Sequence, residues 1–155
     1  MRPEEIAGSE KVQYRAAVLL SAHGRSPYLH EQLESIRSAL SPRDILIVVD
    51  DGSGQVDWSA LDNWPFHYLC WSRLRSLGSA ASFMELLLDT PVRAHCYLWA
   101  DQDDIWHSEK LHRQLQALAS TPEAWACMHG WRPLRQGANA AWVAGTAQTP
   151  LVQCS

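Results

Sequence analysis

Short continuous apolar runs alternate along this chain with segments whose apolar positions recur at helical spacing. Ala16-Ala17-Val18-Leu19-Leu20-Ser21 is such a run, the pattern of a strand buried on both faces. Gly24 ends it, and Ser26-Pro27 predicts a helix start, with serine as cap and proline where its missing N–H costs nothing. Leu29, Leu33, Ile36 and Leu40 follow on one face, with Glu31, Glu34 and Arg37 on the wet side, until Ser41-Pro42 stops the helix. Ile45-Leu46-Ile47-Val48-Val49 is the clearest strand and runs into Asp50-Asp51-Gly52-Ser53-Gly54. Phe66-His67-Tyr68-Leu69-Cys70-Trp71 predicts a weaker strand. A second helix is expected after Gly78, capped by Ser79, with Phe83, Leu86 and Leu87 inward. His95-Cys96-Tyr97-Leu98-Trp99-Ala100 is a further strand that leads straight into Asp101-Gln102-Asp103-Asp104. Ser108 is placed to cap a third helix carrying Leu111, Leu115 and Leu118, and residues 124–129 predict a last strand.

This alternation implies an α/β fold, a Rossmann-like three-layer α/β/α arrangement with a mostly parallel sheet. The pattern divides the chain into a flexible N-terminus (1–15), a domain (16–132) and an irregular tail (133–155). Open sheets of this class bind ligands at the carboxyl ends of their strands, and both acidic clusters fall there.

Composition narrows the function classes. With 155 residues there is room for one domain, and 46% hydrophobic against 19% charged residues is enough to fold it. A net charge of -4 without a Lys/Arg run argues against a nucleic-acid partner. No apolar stretch is long enough for a transmembrane segment, and Met1-Arg2-Pro3-Glu4-Glu5 is not the basic start of a signal peptide. Cys70, Cys96, Cys127 and Cys154 lack CxxC spacing and read as reduced, mostly buried thiols of a cytoplasmic protein. The histidines show no HxH or HExxH pattern, and no dinucleotide or P-loop glycine motif occurs. Of the eight tryptophans, Trp64, Trp99, Trp125 and Trp142 are expected in the core or covering gaps.

Carboxylates placed side by side repel one another and need a cation, hydrogen-bond donors or open water. Asp101-x-Asp103 turns two of them toward one locus, and hard oxygen ligands of this kind suit Mg²⁺ or Mn²⁺ with phosphate and water completing the shell. A solvated acidic turn capping the next helix is the plain alternative.

Four ordered segments carry a family resemblance. Asp101-Gln102-Asp103-Asp104-Ile105-Trp106, with Glu109-Lys110-Leu111, resembles the DQDDIW…DKL segment of family 2 glycosyltransferases, especially their rhamnosyltransferase-like branch. Val48-Val49-Asp50-Asp51-Gly52-Ser53 resembles that family's VSDDGS segment, and Tyr28-Leu29-x-Glu31-Gln32-Leu33-x-Ser35-Ile36 its YLxEQLxSI helix. Leu77-Gly78 with Phe83 lies where the family has NLGxxxNF. The resemblance implies the nucleotide-sugar-binding part of a GT-A fold, truncated before the acceptor half. It implies a UDP- or dTDP-type donor contacted by Ala22, His23, Asp50, Asp51, Gly78 and Asp101, with Asp104 and Trp106 near the sugar. Asp103, with Asp101, would hold Mg²⁺ or Mn²⁺ on the diphosphate for inverting transfer to a saccharide or lipid-linked acceptor. It also places the protein in the cytoplasm, with the inner membrane face as the site of any peripheral attachment.

The chain departs from that pattern at His23-Gly24 (Tyr-Asn in the family), at Ser76 (Asn) and at Ala81-Ser82-Phe83 (Lys-Asn-Phe). Arg73 or Arg75 is a candidate for the charge missing there, but spacing does not show it, and both read rather as solvated surface residues. After Lys110 the only carboxylate is Glu123, in a turn, with His129 the other candidate base. Three functions follow in order: a metal-dependent donor-binding glycosyltransferase domain; an inactive relative acting as a binding protein, with a homo-oligomer or partner chain covering the missing half; and an aspartate-dependent phosphotransfer domain.

Overall fold

The computed structural model describes residues 13–124, 126–130, 133–136 and 142–144. The N-terminal residues 1–12, Trp125, Cys154 and the side chain of Trp142 lie outside the described set. The chain forms two compact units, 1–110 and 111–155.

The first unit is built on a four-stranded parallel sheet in the order β3-β2-β1-β4. Its strands are β1 (Gln13–Ala22), β2 (Asp44–Asp50), β3 (His67–Ser72) and β4 (Arg93–Asp101). Helix α1 (Leu29–Ala39) connects β1 to β2, and α2 (Ser79–Leu88) connects β3 to β4. The first crossover steps one way across the sheet and the second steps back the other way. With both crossovers right-handed, the two helices must lie on opposite faces, which gives three layers.

Ala16 to Leu20 in β1 are all 0% exposed, as expected of the strand between two neighbours and two helix layers. Ala17 and Leu19 join Ile45, Ile47, Val49, Leu69, Leu86 and Val92 in one apolar cluster under α2. The alternate residues Val18, Leu20, Leu46 and Val48 point to the opposite face and are equally buried, as are Leu29, Leu33 and Ile36 of α1.

Helix starts differ from the sequence pattern. Ser26 accepts the Tyr28 N–H (3.2 Å) in a turn, and α1 begins at Leu29 with no side-chain cap. Gly78, not Ser79, is the residue before α2, and its carbonyl accepts the Ser82 N–H at 2.9 Å. Trp99 is 54% exposed rather than core; it lies on β4, an edge strand, with its ring centroid 6.1 Å from that of Phe83.

The second unit contains most of α3 (Lys110–Ser120) and an antiparallel pair, β5 (Leu134–Gln136) and β6 (Trp142–Ala144). This pair falls within 133–155, where little regular structure is expected from sequence. Three-residue strands are too short to display a period and are revealed only by their pairing. No strand occurs among the described residues of 124–130. That run is apolar but built on alanine and methionine, with none of the β-branched residues that favour a pleated surface.

At the amino end of β2, Asp44 is fully buried and accepts hydrogen bonds from Arg15 Nε (2.8 Å) and Nη2 (2.6 Å) and from Ser41. Burial pushes this carboxyl up, but the bonds from Arg15 and Ser41 outweigh it and hold it below its ordinary 3.8. Its stabilisation is therefore complete above that value and is lost as pH falls through the lower folded value. Asp44→Asn should cost about 3 kcal/mol at pH 7, low for a broken buried pair because Arg15 keeps part of its side chain in water. Urea unfolding should show the gap between variant and native narrowing below about pH 4; a gap independent of pH would contradict the assignment.

Candidate functional site

Parallel register sets Ala22 beside Asp50 and Ser21 beside Asp101. The carboxyl ends of β2, β1 and β4 therefore stop at one level, and the loops that leave them enclose a cleft of about 300 Å³. Ser21, Ala22 and His23 line it from β1, Asp51 from β2, Asp101, Gln102 and Asp103 from β4, and Ser76, Gly78 and Ser79 from the entry to α2.

The two aspartates after β2 have separate fates, because consecutive side chains leave a strand in opposite directions. Asp50 is 1% exposed and turns back on its own loop, accepting from Ser53 N–H (2.9 Å), Ser53 Oγ (2.7 Å) and Gly54 N–H (2.7 Å). It shapes the turn and does not line the cleft. Asp51 reaches across to the loop before α2, where its carboxylate accepts from Ser76 Oγ (2.7 Å), from the Leu77 N–H (3.1 Å) and from the Gly78 N–H (3.0 Å). Arg73 Nη1 completes the set at 3.1 Å. Burial raises the Asp51 carboxyl, yet the bonds from Ser76, Leu77 and Gly78 and the charge of Arg73 prevail and keep it below its ordinary value. Neither carboxylate is open to act as a phosphate acceptor.

The turn after β4 is built differently. Among the described residues, no protein donor reaches the carboxylates of Asp101 or Asp103. Partial burial, then the charges of Asp104 and Asp103, push the Asp101 carboxyl above its ordinary value. Asp104 is exposed beside the cleft without lining it. Among the described residues, no three His, Cys, Asp or Glu side chains converge as a metal cage. A cation held here would have at most the two cleft carboxylates from the protein and would need oxygens from a ligand and water, which suits Mg²⁺ or Mn²⁺.

Side-chain bonds to main chain hold these loops in place. Gln32, 0% exposed on α1, donates from Nε2 to the Asp101 carbonyl at 2.9 Å. Its Oε1 lies 3.0 Å from Ser35 Oγ, which in turn accepts the Trp106 N–H at 2.9 Å. Gln102 Oε1 accepts the His23 N–H at 3.0 Å, and His23 Nδ1 lies 2.9 Å from the Asp51 carbonyl. Trp106 is 5% exposed, with Lys110 Nζ 3.7 Å from its ring centroid, so it supports the acidic turn from within and lies outside the cleft lining.

Sequence reasoning gave Gln32, Ser35 and Gln102 no role of their own and set Arg73 aside as solvated. Gln32 did carry a signal: a polar residue among Leu29, Leu33 and Ile36 on a helix's apolar face must find a partner when buried. Arg73 is no solvated surface residue; its side chain is 9% exposed. Cys70, Cys96 and Cys127 are free and half-buried, and burial lifts the Cys70 thiol to about 11, which rules it out as a nucleophile near neutral pH.

The sequence model of the family described as "Glycosyl transferase family 2" matches residues 17–146. Among solved structures, the chain is similar to S. aureus TarS in a form spanning its residues 1–349 (TM-score 0.57, 18% identity). That match covers 68% of this chain and 32% of the TarS chain. A second S. aureus TarS structure matches with the same TM-score of 0.57 and identity of 18%, over 68% of this chain and 20% of that one. The chain thus spans about a third or less of the solved chains it matches. No curated protein matches it. The likeness establishes the fold as GT-A-like α/β. No helix among the described residues is long and apolar enough to cross a membrane.

Gly52 tests how tightly the cleft loops interlock. At φ +74° it takes a backbone conformation L side chains avoid, and a Cβ there would lie 2.2 Å from the Arg75 carbonyl carbon and 2.3 Å from Ser76 N. Gly52→Ala should therefore cost at least about 2 kcal/mol, through strain and overpacking together. Gly54→Ala, with φ +64° but open space around it, should cost only about 1 kcal/mol. Equal losses in chemical denaturation would show that the two loops do not touch.

Proposed function

We propose that this chain, a member of glycosyl transferase family 2, uses the cleft at the carboxyl ends of β1, β2 and β4 to bind the donor of an inverting sugar transfer. The donor is a nucleoside-diphosphate sugar of UDP or dTDP type, held with Mg²⁺ or Mn²⁺. One observation carries this reading: Asp101 and Asp103 line the cleft, close together and without donors among the described residues, beside a third carboxylate. Such an arrangement is destabilising alone and is relieved by a cation shared with an anionic ligand.

In this reading Asp101 and Asp103 hold the cation against the diphosphate. When bound, the cation neutralises charge that develops on the departing nucleoside diphosphate. The nucleoside lies toward Ala22 and His23, with the wall at Ser76, Gly78 and Ser79 facing it. His23 is oriented by its bond to the Asp51 carbonyl, and Gln102 fixes its main chain. Asp104, exposed at the margin, stands on the sugar side. The saccharide or lipid-linked acceptor hydroxyl would lose its proton to a base as it attacks the anomeric carbon. Within residues 111–155 the one carboxylate, Glu123, is exposed in a turn and is assigned no such role.

Calorimetry with UDP and dTDP should show binding that requires Mn²⁺ or Mg²⁺. Asp103→Asn should weaken metal-dependent binding at least about 10-fold, the loss seen even for groups one shell removed from a metal. The same variant, relieved of like-charge repulsion, should melt no lower than the native chain. Absence of heat with every nucleotide, or metal-independent binding unaffected by Asp103→Asn, would refute the proposal.

A further inference from the structure

We propose that Arg73 is a positioning residue of the donor cleft: its guanidinium fixes the Asp51 carboxylate and, through it, the main chain of residues 76–78 that forms one wall. The inference rests on the reading of the cleft as a donor site, and it concerns a residue that does not line that cleft.

Arg73 follows β3 directly and runs behind the wall. Its Nη1 donates to Asp51 Oδ1 (3.1 Å) and to Ser82 Oγ (2.6 Å), and its Nε lies 3.1 Å from Glu85 Oε2. Ser82 is 0% exposed in the first turn of α2 and lies 2.6 Å from Ser21 Oγ, which faces the cleft. One buried cation thus ties together the ends of β1, β2 and β3 and the start of α2. It meets Ser82, one of the positions where this chain departs from the family's Lys-Asn-Phe segment.

The wall has little else to hold it. Residues 74–78 are all exposed, Leu74 completely, so no apolar side chain anchors them. Besides the bond from the Ser82 N–H to the Gly78 carbonyl and the close approach of Gly52 to the Arg75–Ser76 backbone, their fixed points are the Asp51 bonds to Ser76, Leu77 and Gly78. A charged, correctly aimed Asp51 is therefore the condition for a preset wall, and Arg73 is the cation that aims it.

Stability alone is a poor account of Arg73. Its Nη2 is buried without a hydrogen-bond partner, and its Nε meets Glu85 without forming a well-aligned hydrogen bond. These unmet donors offset part of what the ion pair contributes, although removing Arg73 alone leaves the Asp51 carboxylate buried without its cation and so costs stability.

The test is a double-mutant cycle of Arg73→Met and Asp51→Asn, read by UDP and dTDP affinity in the presence of Mn²⁺ and by amide hydrogen exchange at Leu77 and Gly78. Arg73→Met should melt below the native chain, because Asp51 is left buried without its cation, and should weaken nucleotide binding about 10-fold (~1.4 kcal/mol) and speed exchange at both amides. In the Asp51→Asn background it should change neither, since a residue acting through Asp51 is not additive with it. Native-like affinity and exchange in Arg73→Met would overturn the inference, as would an equal loss in both backgrounds. If Arg73→Met does not fold, Arg73→Lys takes its place in the cycle, because the lysine ammonium ends one bond short of the Nη1 position that meets Asp51 and Ser82. A threefold loss coupled to Asp51 is then expected, and native affinity overturns the inference. If the native chain binds no nucleotide, the donor reading fails and exchange decides alone: faster exchange at Leu77 and Gly78 upholds the positioning role, and unchanged exchange overturns it.

Discussion

β1 is hydrogen-bonded in parallel to β2 on one side and to β4 on the other, and its residues from Ala16 to Leu20 see no solvent on either face. That double pairing leaves no freedom of register. A slip of one residue would turn Ala17 and Leu19 away from the cluster under α2 and present the alternate set instead. With the register set, Ala22 must stand beside Asp50 and Ser21 beside Asp101, so the loops carrying the carboxylates emerge at one edge of the sheet. The cleft is thus a consequence of how an apolar strand is buried, and its chemistry depends on which polar residues follow the strand ends.

Those residues solve the problem of crowded negative charge in two ways. After β2 the charge is closed off: Asp50 is satisfied by its own turn, and Asp51 by the loop before α2 and by Arg73. After β4 it is left open, with the main chain clamped by Gln32 and Gln102 while the Asp101 and Asp103 side chains face the cleft. Rigid backbone under unpaired carboxylates is the arrangement expected of a site that waits for a cation and an anionic ligand together. In the proposed function the closed cluster shapes the pocket and the open one binds.

The central strands, the α1 face and the placing of both acidic loops were legible in the sequence, because burial on two faces writes long apolar runs and strand ends are marked by abrupt polarity. The division of labour between Asp50 and Asp51 was not. Adjacent aspartates have the same chemistry, and only the direction in which each leaves the strand separates them. Arg73 was hidden for another reason, since its partners Asp51 and Ser82 are distant in sequence and are assembled by the crossover. Trp99 was misjudged because a strand's place at the sheet edge is a property of topology, and no local pattern reports it. The short β5–β6 pair lacked enough residues to show a period.

The central claim is that the aspartates at the strand ends are of two kinds, one spent on structure and one available to a bound cation and diphosphate. Carboxylate ¹³C NMR of the aspartate-labelled protein, titrated with Mg²⁺ and UDP together, observes each kind directly. The account predicts that the Asp101 and Asp103 resonances move while that of Asp50 stays in place and that of Asp51 stays close to its starting position. Large movement at Asp50 and Asp51 with Asp101 and Asp103 unmoved would contradict it.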